Sequence, residues 1–370
     1  MNKFVIKPKI VFDNNAVVYI RTMPENRYFI ITDPFIVSSG MIDKVTDEID
    51  GRDYSIFSDV VPDPPLEVVA KGIKEIQDYQ PQCVIAIGGG SAIDTAKAVL
   101  YYGKMRNLKF IAIPTTSGTG SEVTSFSVIT DRSKGIKYPL VSDEMLPDIA
   151  ILDTAFVKSV PPKIVADTGM DVLTHAMEAY VSTAANDFSD AFAEKAVKLT
   201  HRYLVKSYSD SENLTAKEKM HNASLMAGLA FNNASLGLNH AIAHNIGGKL
   251  HIPHGRINAM LLPKVIEFNS GVTGYNSTNL QPCAERYADI AKFMGISSTN
   301  TRMLVRGLIR ETEKMLKQLG LPLNLKECGI KCEDIDFETI AEGALNDSCI
   351  NTNPRKASKD DITDIIRRLC

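Results

Sequence analysis

Nowhere in this chain of 370 residues do apolar side chains run for the about 18 positions that a membrane-spanning helix requires. Lys7, Lys9 and Asp13 interrupt the opening run MNKFVIKPKIVFDNN before an apolar signal-peptide core can form. An excess of one charge is missing too. The 41 basic and 44 acidic residues leave a net charge of −3, which gives no electrostatic footprint for nucleic acid or an anionic membrane. The six cysteines, Cys83, Cys283, Cys328, Cys332, Cys349 and Cys370, follow no disulfide-framework spacing, and the C-x-x-x-C of Cys328 and Cys332 has no second pair. Reduced thiols in a cytoplasmic, reducing compartment are the expectation. What these absences leave is a soluble globular protein, 44% hydrophobic and 23% charged, long enough for two domains with substantial cores.

Two catalytic signatures are absent as well. His240 and His244 form H-x-x-x-H, but Ala241, Ile242 and Ala243 lie between them, so the general-base Glu of a metalloprotease is missing. The glycines after the strand-like run at 84–87 do not spell G-x-G-x-x-G, so an ordinary dinucleotide fingerprint is missing too.

Four of the seven histidines, His240, His244, His251 and His254, fall in the run LNHAIAHNIGGKLHIPHG. Upstream, GMDVLTHAMEAY puts Asp171 and His175 four residues apart in a helical pattern. At about 3.6 residues per turn that spacing brings a carboxylate and an imidazole onto one face. An Asp with two or three His is an O/N ligand set suited to Fe(II), Zn(II) or a near neighbour. Histidines merely close in sequence on a surface are the alternative.

Short β-rich runs, Tyr28–Thr32, Val84–Ile87 and Phe110–Ile113, alternate with helical patterns over 65–79 and 91–101. That alternation predicts a parallel sheet with crossover helices. The stretches 123–130 and 136–141 read as a hairpin appended to it, and Ile149–Asp153 as its last strand. Beyond Pro161 and Pro162 no strand is convincing. Helices are expected near 166–181, 189–207, 216–232, 239–250, 255–268, 281–294, 300–319, 335–346 and 358–368, with Thr215 and Glu218 as a capping box and Gly320 and Pro322 as a stop. The fold class is therefore an α/β dinucleotide-binding domain with a Rossmann-like parallel sheet over 1–158, followed by an all-α metal-binding domain over 159–370.

Two loops at strand ends suit a nucleotide. Gly88-Gly89-Gly90-Ser91 separates strand from helix, where backbone N–H groups and the helix N-terminus can receive a phosphate. A plain tight turn is the alternative. The run from Pro114 to Glu122, rich in hydroxyls and glycine, follows the next strand, and it could equally satisfy its own backbone. Asp33 closes FIITD, either to accept from ribose hydroxyls or as a turn residue before Pro34.

Taken together, GGGSAIDTAK (88–97), PTTSGTGSEVT (114–124), TGMDVLTHAMEAY (168–180), LGLNHAIAHNIGG (236–248), IPHG (252–255) and NTNPR (351–355) resemble the iron-containing (group III) alcohol dehydrogenase family. The resemblance covers nearly the whole chain. DRSKGIKYPL, KMHNASLMAGLAF and LGLNHAIAH look most like its 1-propanol dehydrogenases of propanediol utilisation. It implies that Asp171, His175, His240 and His254 hold Fe2+, or Zn2+ as in some relatives. It implies that His244 sits beside nicotinamide and substrate as a catalytic proton relay and not as a ligand. Gly88, Gly89, Gly90, Ser91, Asp94, Thr115, Thr116 and Ser121 match cofactor contacts, Lys137 a lysine near the nicotinamide ribose, and Asp33 the acidic residue that favours NAD(H) over NADP(H).

The expected partners are a small alcohol or aldehyde, propanal first, and a second copy in a homodimer, with neither nucleic acid nor membrane. Enclosure in a bacterial microcompartment would need a partner protein, since no extra N-terminal targeting helix precedes the domain. Phe231, Leu236 and Ile242 are candidates for an apolar substrate pocket, with ordinary core packing as the alternative for each. Two rival readings are a metal- and NAD-dependent lyase or cyclase of the dehydroquinate synthase type and a non-enzymatic, metal-stabilised assembly protein. The first wants Lys and Arg around the metal motifs, where only Lys249 and Arg256 occur. The second needs a closed four-ligand site and no nucleotide loops.

Overall fold

A computed structural model describes residues 3–105, 107–132, 136–273 and 279–370. The chain divides into two units, one spanning Val5–Val160 and the other Pro161–Cys370 together with the N-terminal residues up to Phe4. The first unit carries strands β1 (Lys9–Asp13), β2 (Arg27–Ile31), β3 (Asp53–Phe57), β4 (Cys83–Gly88), β5 (Lys109–Pro114), β6 (Phe126–Asp131), β7 (Ile136–Val141) and β8 (Ile149–Asp153). Its helices are α1 (Pro34–Ser38), α2 (Asp43–Thr46), α3 (Leu66–Tyr79), α4 (Gly90–Tyr102) and α5 (Thr154–Val157).

Six strands form one parallel sheet in the order β1-β8-β5-β4-β2-β3. Alternate side chains of one strand serve different cores, as a period of two requires. Tyr28, Ile30, Ile85, Ile87, Ile111 and Ile113 enter one hydrophobic cluster, while Phe29, Ile31, Val84, Ala86, Phe110 and Ala112 enter another. A sheet buried on both faces explains why β4, CVIAIG, is apolar throughout. The edge strands β1 and β3 are half-exposed and carry no such run, so the sequence pattern misses them. The expected hairpin is present, but β6 and β7 pair antiparallel in a two-stranded sheet of their own.

From β2 the chain moves outward to β3, and from β4 it moves the other way to β5. The carboxyl ends of β2 and β4 therefore flank a topological switch point, where open α/β sheets bind ligands. Asp33 and Gly88 occupy those two ends.

The second unit is helical: α6 (Pro162–Val181), α7 (Asp187–Ser209), α8 (Leu214–Ala234), α9 (Leu238–Leu250), α10 (His254–Ser270), α11 (Ala284–Phe293), α12 (Thr301–Gln318), α13 (Phe337–Asn346) and α14 (Lys359–Arg367). The expected capping box at Thr215 and Glu218 is not how α8 begins. Asn213 caps it two residues earlier, its side chain accepting from Ala216 N at 3.0 Å. Helix α12 stops where expected, with Gly320 left-handed at φ 62°.

One close approach governs the helical unit. A Cβ on Gly255 would lie 2.1 Å from the carbonyl oxygen of Asp167, so only glycine lets the start of α10 touch the α6 backbone. Arg256 locks the same crossing, donating from Nε (3.0 Å) and Nη2 (2.7 Å) to the two carboxylate oxygens of Asp167.

The expectation that all six cysteines are free thiols is corrected for two of them: Cys332 and Cys370 form a disulfide. A separation of 38 residues hides the pair from spacing rules. Folding brings it together because Leu325 N donates to Leu369 O at 2.7 Å and Leu325, Leu369 and Cys370 pack into one apolar cluster. Alkylation without reductant should therefore spare Cys332 and Cys370, with both modified after reduction. Cys370→Ser should lower stability by up to about 4 kcal/mol, the chain-entropy value for a loop of that length, read as a drop in denaturation midpoint.

Candidate metal centre and nucleotide loops

Asp171 and His175 lie one turn apart on buried α6, and His240 lies in the first turn of α9. His254 opens α10 directly behind Pro253. The ligand atoms of Asp171, His240 and His254 all lie within 4.8 Å of one another. His240 Nε2 is 3.6 Å and His254 Nε2 3.7 Å from Asp171 Oδ1. His175, the fourth expected ligand, is placed by its ring alone, stacked on His240 with centroids 4.5 Å apart and on Phe231 at 4.6 Å.

A side chain that spacing alone did not identify shows where these acceptors point. Asn258 Nδ2 lies 2.7 Å from Asp171 Oδ1, 3.1 Å from His240 Nε2 and 3.0 Å from His254 Nε2. Asn239 Nδ2 donates to Asn258 Oδ1 at 2.8 Å, which fixes the amide with its nitrogen toward the imidazoles. An amide nitrogen has two hydrogens, so it cannot serve all three atoms at once. A carboxylate and imidazoles converging in this way fit a divalent cation of the iron or zinc type.

Glu178 supports the group from behind. Its Oε2 meets His240 Nδ1 at 2.5 Å, and its Oε1 accepts from Asn239 N at 2.7 Å. Burial alone would lower the affinity of His240 for a proton, but the carboxylates of Glu178 and Asp171 outweigh it and raise the pKa to about 9. Burial would push Asp171 up, yet the imidazoles of His175, His254 and His240 hold it well below the usual carboxylate range.

Helix α9 starts at Gly237, which has no side chain to cap the first turn. Other elements supply the missing acceptors. Glu178 takes Asn239 N, and Asn353 Oδ1 takes Leu238 N at 3.0 Å. The NTNPR run thus clamps the helix that carries His240. His244, one turn further on, is half-exposed; its Nδ1 lies 2.8 Å from Asp347 Oδ2 and its ring stacks on His254 at 5.3 Å. His251 caps the end of α9 in a left-handed conformation and faces solvent, away from the group. Of the apolar candidates, Phe231 covers His175 and Leu236 is half-buried, whereas Ile242 is fully buried in the hydrophobic core, its alternative reading.

In the other unit, Gly88 sits at φ +152°, and a Cβ there would be 2.6 Å from Ala92 Cβ and 3.4 Å from Asp33 Oδ2. Gly89 is the N-cap of α4 with no side-chain acceptor, and Gly90 and Ser91 follow as its first residues. A Cβ on Gly90 would meet Thr119 at 2.8 Å and one on Gly89 would meet Thr116 Oγ1 at 3.6 Å, so the hydroxyl loop lies against the glycine turn. Thr115 N donates to Gly88 O at 2.9 Å. Asp33 Oδ1 caps α1 by accepting from Phe35 N (2.9 Å) and Ile36 N (3.1 Å) while Oδ2 faces the turn, so both roles read from sequence are compatible.

Asp94 and Ser121 lie deeper. Ser121 Oγ donates to Asp94 Oδ1 at 2.7 Å, and Lys97 Nζ donates to Ser121 Oγ (2.9 Å), Thr124 Oγ1 (3.1 Å) and Phe126 O (2.8 Å). Burial lowers Lys97 to about 8 and raises Glu122 to about 7. This network ties α4 to the loop after β5. The side chain of Lys137 lies outside the described residues.

Two family models match the chain: "Iron-containing alcohol dehydrogenase" over residues 7–154 and "Fe-containing alcohol dehydrogenase family, C-terminal" over 165–370. The chain is 42% identical to 1-propanol dehydrogenase PduQ of Salmonella typhimurium over the full length of both. It is 41% identical to the NADPH-dependent butanol dehydrogenase of Clostridium saccharobutylicum, covering 88% of this chain and 87% of that one. Among solved structures, a 1,3-propanediol oxidoreductase superposes with TM-score 0.92 at 32% identity over all of both chains. A sulfoacetaldehyde reductase from Bifidobacterium kashiwanohense in complex with NAD+ superposes with TM-score 0.88 at 28% identity, covering 100% of this chain and 98% of that one.

The geometry makes two expectations. His254→Ala should lose bound divalent metal while His251→Ala keeps it, as metal analysis after desalting would show. Glu178→Gln removes the charge behind His240 but keeps its shape, and metal affinity should fall about 10–100-fold in a chelator competition. An unchanged affinity would mean that Glu178 serves the helix start alone.

Proposed function

The chain belongs to the iron-containing alcohol dehydrogenase family, and from that premise we propose that it reduces short unbranched aldehydes, propanal foremost, with NADH. The observation that carries this reading is the convergence of Asp171 Oδ1, His240 Nε2 and His254 Nε2 on one point, with His175 stacked behind them. These four side chains would hold Fe2+, and the same donors would also accept Zn2+. A divalent ion held there would supply Lewis acidity to a carbonyl or alcohol oxygen, and a bound nicotinamide would supply the hydride chemistry.

The protein's own residues do the rest. The N-terminus of α4, opened by Gly88, Gly89, Gly90 and Ser91, receives the pyrophosphate. Thr115 and Thr116 line the neighbouring loop, while Asp94 and Ser121 brace it from within. Lys137 is assigned to the nicotinamide ribose on the sequence match alone. Asp33 Oδ2 accepts from a ribose 2′-hydroxyl and repels a 2′-phosphate, which favours NAD(H). His244, held by Asp347 and half-exposed, moves a proton between the substrate oxygen and water, a role that typically contributes about 10²–10⁴-fold. Phe231 keeps water off His175.

The lyase reading is disfavoured by Arg256, the arginine of the metal motifs, because Asp167 already engages it at two points. A structural metal has no use for a half-exposed His244 beside the ligands. The reading extends to a cytoplasmic homodimer with domains 1–158 and 159–370. Enclosure in a microcompartment through a partner protein is drawn from the PduQ likeness. No helix among the described residues is long and apolar enough to cross a membrane.

In an NADH-oxidation assay, kcat/KM for propanal should exceed that for lactaldehyde and succinic semialdehyde; the reverse order overturns the substrate choice. NADH should be preferred to NADPH. Asp33→Asn keeps a capping oxygen while removing the charge, and it should raise the NADPH-to-NADH ratio of kcat/KM about tenfold, equivalent to about 1.4 kcal/mol. A wild-type preference for NADPH would reverse the cofactor assignment.

A further inference from the structure

A second group of ligand-type side chains stands beside the first. Donor atoms of His244, Asp347 and Cys349 all lie within 4.8 Å of one another. Two elements build it: α9 supplies His244, and the 3-10 turn Ser348–Thr352 supplies Cys349. Asp347 fixes both. Its Oδ1 accepts from Cys349 N at 2.8 Å as the cap of that turn, and its Oδ2 meets His244 Nδ1 at 2.8 Å. The carboxylate is thus positioned by the backbone before any ion arrives.

The two groups share no ligand and differ in chemistry. The first offers only oxygen and nitrogen, whereas the second adds sulfur. Imidazole, carboxylate and thiolate with one position left for water make a tetrahedral set that suits zinc and softer ions better than Fe2+. His244 is half-exposed, which leaves an approach from solvent, while its ring stacks on His254 at 5.3 Å. Burial and the Asp347 carboxylate push the Cys349 thiol up, so it stays protonated until a thiophilic ion displaces the proton.

We propose that His244, Asp347 and Cys349 form a second, thiophilic metal site, and that Zn2+ bound there inhibits the enzyme by capturing His244. On binding, the Cys349 thiol releases its proton to solvent and its sulfur bonds the ion. The His244 proton leaves Nδ1 for Nε2 through solvent, Nδ1 and the Asp347 carboxylate each bond the ion in place of their hydrogen bond, and nothing is oxidised or reduced. Binding itself stands on this geometry alone. Inhibition rests on the reading of His244 as proton relay.

The test uses iron-loaded protein under anaerobic conditions. Added Co2+ should produce a thiolate-to-cobalt charge-transfer band in the near ultraviolet. Cobalt in the O/N site cannot give such a band, since no cysteine belongs to it. Added Zn2+ should inhibit propanal reduction while metal analysis finds the iron retained. In unaltered protein, Zn2+ should also protect Cys349 from alkylation, mapped by peptide mass spectrometry. Cys349→Ser should keep basal activity, lose the cobalt band and require at least about tenfold more Zn2+ for the same inhibition. Absence of the band, inhibition accompanied by loss of iron, or equal inhibition of Cys349→Ser each overturns the proposal. A protein that shows the band and the protection but does not reduce propanal keeps the second site and loses the functional reading instead.

Discussion

The Glu178 carboxylate is the contact on which the metal centre depends. One oxygen holds His240 Nδ1 and the other takes the backbone N–H of Asn239. The same side chain therefore orients the imidazole and completes the turn that carries it. Its position on α6, three residues beyond His175 and seven beyond Asp171, means that one helix face presents a carboxylate, an imidazole and the brace for the next imidazole. A buried acid so placed is tolerable because both oxygens are bonded. Moving α6 relative to α9 would break a helix start and a ligand together.

Two helices begin at glycine, and they use it in opposite ways. At α9, Gly237 leaves backbone donors that Glu178 and Asn353 consume, so that helix end is closed to any ligand. At α4, Gly89 has no side-chain cap, and the turn before it faces the hydroxyl loop at a sheet switch point. There no side chain caps the helix of 13 residues, which leaves its partial positive charge without a side-chain acceptor. The buried Lys97 network behind it uses up the polar groups that might otherwise compete, since Ser121 and Asp94 satisfy each other. Similar local sequence thus yields a closed joint in one unit and an uncapped glycine turn in the other, and the difference lies in which acceptors the remainder of the fold brings near.

That distinction also marks what could be read from sequence. Strands buried on both faces, such as β4, and ligand pairs at helical spacing, such as Asp171 with His175, announce themselves through local periodicity. The edge strands KIVFD and DYSIF do not, because half-exposed edges carry no apolar run. Glu178 and Asn258 were within reach, lying three residues from His175 and four from His254 on their helices. Asp347 and Asn353, by contrast, meet α9 across more than a hundred residues, and no local pattern encodes that. Cys332 and Cys370 were misjudged for the same reason, since free cysteines and a bridged pair look alike until the chain end is packed. The family resemblance reached what spacing could not, because ordered motifs along the chain carry tertiary information that periodicity lacks.

The first turn of α10 shows how tightly that tertiary information is written. His254 supplies a ligand nitrogen, Gly255 lets the backbone touch Asp167 O, Arg256 clamps the Asp167 carboxylate, and Asn258 aims an amide at the ligand atoms. Each position has one physical task, and none is interchangeable with its neighbour. The amide donor of Asn258 has a further consequence. Without a cation the carboxylate charge is met by a proton: against burial, the carboxylates of Glu178 and Asp171 raise His240 to about 9. That proton and the Asn258 amide let the centre assemble on folding, and a divalent cation would displace the proton. Metal binding then adds to the stability of a structure already formed, in the manner of any ligand that binds only the native state. The Asn239 bond to Asn258 keeps the amide from turning its own oxygen toward the centre.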